Sequence, residues 1–225
     1  MTHTVTHTRS VMTMAATALA VAAVLTGCGG GGGEATKEPE GLTAAEACGG
    51  FAKDPAATAA LKAVLGGERF EDDLSKPEKA LDRLREDAAA QWADSYRPQP
   101  VTYCGLQAAD EASKNLRIEV NAVGKGPYLG PELAESVTSY ATGVEAFSSS
   151  TLGKLFFSCR LKAPAHPIVV ETAVQGPAGV EETDGEQRTR LITLANAAAR
   201  DVSAKLGCEG DGLVTGVPTR AAKSS

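Results

Sequence analysis

Five cysteines and three histidines are the side chains of this 225-residue chain best suited to nucleophilic, redox or metal chemistry. Cys48, Cys104, Cys159 and Cys208 are separated by 56, 55 and 49 positions, so no CxxC pair exists to hold zinc or to run thiol–disulfide exchange. His3 and His7 precede a long apolar run, which leaves His166, in "APAHPI", as the one histidine beyond it. It reads as an exposed residue where a strand begins, and a lone histidine cannot complete a metal site. The serines of "FSSSTLGK" lie outside any GxSxG elbow and read as a polar turn, while Ser158 reads as structural in a strand. The acidic clusters Glu71-Asp72-Asp73 and Glu181 to Glu186 lack the Asp-x-Asp-x-Asp-Gly spacing of a calcium loop. The second reads as a solvated loop into a helix, with Asp184 as its cap and Glu186 at its positive end. A carboxylate-dependent hydrolase would need two acids about 5–10 Å apart across a cleft, a separation that a linear sequence does not carry. Trp92 fits the core face of a helix better than a sugar platform. "VGKGPYLGPE" at 123–132 lacks the GxxxxGK[ST] spacing of a phosphate loop. We therefore expect no catalytic residue, no metal ligand and no cofactor.

The fifth cysteine, Cys28, stands in "AAVLTGCGGGGGEA", between an apolar run and five glycines. Residues 11–25 run fifteen positions without a charge, behind Arg9. That is too short to cross a hydrocarbon core, which takes about 20 residues, and suits the apolar region of a secretory signal. No twin arginine is present, which favours the general secretory route. Leu25-Thr26-Gly27-Cys28 resembles the lipobox of bacterial lipoproteins. The resemblance implies cleavage before Cys28, with a diacylglycerol on its sulfur and a location on the extracytoplasmic face of the cell membrane. Each buried methylene contributes about 0.8 kcal/mol, so two or three acyl chains anchor stably where one holds only marginally. Residues 28–41 are then the lipidated cysteine and a glycine-rich tether, reaching on the order of 20 Å as a random coil. Cleavage would remove residues 1–27 and leave 198 residues, enough for a single domain that we place at 42–216, with a disordered tail at 217–225.

The elements of that domain follow from caps and periodicity. Thr43-x-x-Glu46 reads as a capping box opening a short helix that carries Cys48, interrupted by Gly49-Gly50. Asp54-Pro55 starts a helix running to Gly66-Gly67. Ser75 and Glu78 read as a second capping box, before a helix of about 76–94 with Leu81, Leu84, Ala88 and Trp92 on one face. "VTYCGLQ" (101–107) with "LRIEVNAV" (116–123), and "KLFFSCRL" (154–161) with "PIVVETAV" (167–174), read as two hairpins. A last helix, 185–206, ends at Gly207 ahead of Cys208. The expected fold is α+β, an antiparallel sheet of two hairpins with helices on one face.

An even number of cysteines beyond Cys28, in an exported chain, implies two disulfides, and three connectivities are open. The simplest is Cys48–Cys104 with Cys159–Cys208, each tying a helix end to a strand. "AEACGGF", "LFFSCRL" and "KLGC" also resemble the cysteine-containing envelope lipoproteins common in actinobacteria, a likeness that implies an extracytoplasmic location and no activity.

Charge narrows the partners further. The formal net charge is −6, or −7 without Arg9, and the basic residues are dispersed, which excludes a nucleic-acid footprint. No polybasic run flanks the anchor, so attachment to the bilayer rests on acylated Cys28. The connection 124–150 is poor in charge, and Tyr128, Leu129 and Tyr140 form the expected binding surface. The expected function is a non-catalytic module for an envelope protein or a small apolar ligand. The alternative is a carboxylate-dependent hydrolase.

Overall fold

In the computed structural model the chain divides into Met1–Glu38 and Pro39–Ser225. The described residues are 40–222 without 73, 91–97, 112, 125–128, 163 and 182–183, all within the second unit. Cys28, Asp73, Trp92, Tyr128 and Glu182-Thr183 therefore lie outside them.

Local sequence signals set most element ends. Glu46 accepts hydrogen bonds from the Thr43 backbone (2.9 Å) and hydroxyl (2.8 Å), which hold its carboxyl below the usual range. A 3-10 turn, Ala47–Gly49, follows and ends on left-handed Gly50. Asp54 caps α1 (Pro55–Leu65) by accepting from Ala56 and Ala57. After β1 (Phe70–Glu71) comes α2 (Pro77–Ala89). Ser75 does not cap that helix as expected; its hydroxyl instead accepts from Gly105 N at 3.1 Å. The helix stops at Ala89, short of the expected 94, where Ala90 turns extended. The expected hairpins are present as β2 (Val101–Ala108) with β3 (Asn115–Val123), and β6 (Leu152–Cys159) with β7 (Ile168–Gln175). Between them lie α3 (Pro131–Ser136), β4 (Thr138–Ala141) and β5 (Glu145–Ser148). Asp184 accepts from Glu186 and Gln187 to cap α4 (Gly185–Leu206), which closes on left-handed Gly207 as expected. The last strand of the described residues is β8 (Thr219–Arg220).

All eight strands of the described residues join one antiparallel sheet, in the order β1-β2-β3-β7-β6-β5-β4-β8. Two hairpins are thus its centre, not its whole. The 124–150 connection supplies two further strands, whose short polar segments "TSYA" and "EAFS" carry no alternation to read. The tail expected from 217 onward is partly ordered: β8 pairs with β4, and Pro218 is buried.

α4 packs on β5, β6 and β7, α2 packs on β2 and β3, and both α1 and α2 touch α4, which puts the three on one face. Alternation along the strands agrees, with Leu155, Phe157, Val170 and Val174 fully enclosed on that side. Close approach depends on Gly153, where a Cβ would stand 2.9 Å from the Leu191 backbone of α4. A glycine there lets helix and sheet meet backbone to backbone.

Two disulfides staple the layers in the simplest of the three pairings: Cys48–Cys104 with Cα atoms 5.5 Å apart, and Cys159–Cys208 at 4.7 Å. Closing loops of this size stabilises by about 4 kcal/mol each in the chain-entropy account. The open edge of β2 is blunted by the loop before α2. The Lys76 N–H donates to the Tyr103 carbonyl at 3.3 Å and the Ser75 hydroxyl pairs with Gly105, so no long unpaired strand edge is offered there.

Candidate functional site

A cleft of about 640 Å³ opens where the ends of α2, β3 and β6 converge with the start of β7 and the turn after α4. Its apolar wall is Val123, Pro167, Ile168 and Val169. The polar groups on it are few: Asp87, Ser158, Arg160, His166 and Glu209. Pockets of this size and mix suit a small ligand.

Each polar group is placed by a different element. Asp87 occupies the last turn of α2 and is 2% exposed, with Oδ1 3.2 Å from the Arg83 Nε one turn earlier. An ionised carboxylate at that depth needs such a partner to offset its lost hydration. His166 is exposed, as expected, and its backbone N–H donates to the Ala88 carbonyl at 2.8 Å, which ties the start of β7 to the end of α2. Ser158 points away from the helices at an exposed position of β6, beside enclosed Cys159. The Glu209 N–H donates to the Arg160 carbonyl at 3.2 Å, and the neighbouring Cys159–Cys208 bridge locks this crossing.

Serine, histidine and aspartate therefore share one cleft, but among the described residues no hydrogen bond joins Ser158 to His166. A relay of nucleophile and base requires that bond. Nor does any group of three or more His, Cys, Asp or Glu residues among the described ones sit where it could hold a metal ion.

A second titratable cluster is structural. The Tyr103 ring is fully enclosed, its hydroxyl donates to Asp201 of α4, and Lys205 Nζ reaches both Asp201 (2.7 Å) and the Tyr103 oxygen (3.2 Å). Burial first, and the Asp201 carboxylate second, push the phenol far above its ordinary value. It is a neutral donor that pins β2 to α4.

Of the expected binding surface, Tyr140 is 4% exposed, with its hydroxyl 3.3 Å from Thr189 Oγ1, so it belongs to the core rather than to a surface. Its position in β4 faces α4, which the irregular reading of 124–150 concealed. Leu129 is half-buried, and Tyr128 lies outside the described residues. The cleft itself was not read from the sequence, because its polar residues come from four separate stretches with no motif among them. The acidic cluster at 71–73 divides: Glu71 accepts from Gln107 at 2.7 Å and Asp72 accepts from Cys48 N at 3.2 Å.

Comparison with known proteins adds no identity. No protein-family model, curated protein or solved structure matches this chain.

Proposed function

We propose that this chain is a lipid-anchored extracytoplasmic binding module, held on the outer face of the cell membrane through acylated Cys28. Its folded domain takes a small, largely apolar ligand in the cleft at the ends of β3, β6 and β7. The observation that carries the reading is the cleft: about 640 Å³, with an apolar wall from β3 and β7 and polar groups from separate elements. Two disulfides fit an oxidising compartment beyond the membrane. Among the described residues no helix is long and apolar enough to cross a bilayer.

Native mass spectrometry of the exported chain tests this reading. The expected result is a stoichiometric small molecule that is lost when Ile168→Glu puts a charge in the apolar wall. A clean apo mass would remove the ligand and turn the reading to a protein partner.

One observation favours a second reading, a carboxylate-dependent hydrolase: Asp87 and Glu209 line the same cleft. Hydrolysis of an exported glycoside that survives both Asp87→Asn and Glu209→Gln would remove it.

A further inference from the structure

A second hollow gathers three cations from two stretches of the chain. A groove of about 770 Å³ runs over the open face of the sheet at β2 and β3, lined by Lys76, Lys79 and Arg117. Among the described residues that line it, Glu71 is the one carboxylate, and Gln107 already donates to it at 2.7 Å. Glu119 lies 3.7 Å from Arg117, and among the described residues neither Lys76 nor Lys79 has an ion-pair partner. The balance of three cations to one carboxylate stands on a chain of formal charge −6, and it reverses that of the cleft, where Asp87 and Glu209 outnumber Arg160. Thr102 and Asn115 add neutral hydrogen-bonding groups to the groove floor. Leu74 walls it, 65% exposed and packed so closely over Gly105 that a Cβ there would meet it at 3.0 Å.

The groove also lies at the edge where the chain toward Cys28 leaves the fold. Leu42 bridges to Phe70 of β1, and Arg69 Nη1 donates to the Gly41 carbonyl at 3.1 Å. The next residue of β1, Glu71, is part of the groove.

We propose that this groove docks on the phosphate headgroups of anionic phospholipids in the membrane that carries the anchor, an inference that rests on the lipid-anchor reading above. Lysines serve phosphate as point charges, and a guanidinium adds a fork of donors. Each cation near an anionic surface raises partitioning about fivefold, far less than acyl chains supply. The acyl chains hold the protein, and the groove decides which side lies down. Exposed Leu74 adds an apolar contact at the interface, while the acidic remainder of the domain is repelled by the same surface. The cleft takes its β3 wall from Val123 and Gly124 and the groove from Asn115, Leu116 and Arg117, while the β2 side of the groove runs back to Val101, which pairs with Val120.

The test is flotation of residues 28–225 carrying Cys28→Ala, exported behind a cleavable signal that takes no lipid so that the chain oxidises, with two kinds of vesicle: phosphatidylglycerol mixed with phosphatidylcholine, and phosphatidylcholine alone. Flotation with the anionic vesicles only is expected, lost in high salt, reduced on the order of 100-fold by K76Q/K79Q/R117Q and further still by K76E/K79E/R117E. Equal flotation with both vesicles, no flotation with either, or a triple variant that floats like its parent overturns the proposal. Displacement by millimolar glycerol phosphate would also overturn it, in favour of a soluble phosphate ester. If the charge-reversed variant does not fold, judged by its two disulfides and near-ultraviolet dichroism, K76Q/K79Q/R117Q carries the test. The anchor is read separately, from the acyl mass on Cys28 of the native chain. Its absence would end the anchor reading and leave the vesicle result standing.

Discussion

The cleft and the groove are made in different ways. The groove is built from residues 71–79 and 100–117, neighbours in the chain that a hairpin and its preceding loop bring together. The cleft draws on α2, β3, β6, β7 and the turn after α4, so it exists only once the sheet has closed across β3 and β7 and α4 has docked. Each hollow has its own staple. Cys48 accompanies the loop that walls the groove, with Sγ 3.0 Å from the Ser75 hydroxyl, and Cys159–Cys208 locks the rim of the cleft. A hollow of short chain separation tolerates loss of distant packing, and one of long separation does not.

Removing the staples breaks the comparison most severely. Cys159→Ser with Cys208→Ser, and Cys48→Ser with Cys104→Ser, should each cost about 4 kcal/mol in urea unfolding under oxidising conditions. The first pair should abolish ligand binding in the cleft and spare vesicle flotation, and the second should do the reverse. If either pair impairs both functions equally, the two hollows are not independent. Next in size is Gly153→Ala, whose new methyl meets the Leu191 backbone and should cost about 1–3 kcal/mol. By lifting α4 from β6 it should weaken the cleft more than the groove. A wild-type midpoint in denaturant would count against backbone contact at this point.

Tyr103→Phe sharpens the comparison by cutting one link between β2 and α4, and should cost about 1 kcal/mol at neutral pH. Its pH dependence has a definite sign. The folded-state value of the phenol is raised above the unfolded one, so its contribution is complete below pH about 10. The contribution is lost as pH rises beyond that, because only the unfolded chain releases the proton. Wild type should therefore lose more stability than Y103F between pH 9 and 11 in denaturant titrations, and parallel profiles would refute the assignment. The smallest effect is expected at Thr172, a fully buried hydroxyl of β7 without a hydrogen-bond partner among the described residues. Thr172→Val should raise stability by about 1 kcal/mol and change neither hollow, measured by thermal unfolding and both binding assays.

The elements that carried their own signals were legible. Asp54 and Asp184 cap α1 and α4 because a side-chain oxygen satisfies the first free amides, and Gly207 ends α4 because only the left-handed turn closes its carbonyls. The central strands read as strands because β3 alternates buried and open positions and β6 and β7 carry near-continuous apolar runs. β4, β5 and β8 did not, since short polar strands take their conformation from the neighbours that pair with them. Ser75 shows how a local pattern can mislead: the capping motif was present, but an open strand edge offered the hydroxyl a better partner.

The sequence by itself determined the positions of the capped helices and central strands, and a cysteine complement suited to two disulfides. These rest on interactions within a few residues, or on composition, and need no knowledge of the fold. Tertiary structure alone decided that Asp87, His166 and Glu209 would share a cleft, that Lys76, Lys79 and Arg117 would share a groove, and that Tyr140 would be core. Each depends on strand register and on which helix face meets the sheet, which are set by packing across the whole domain.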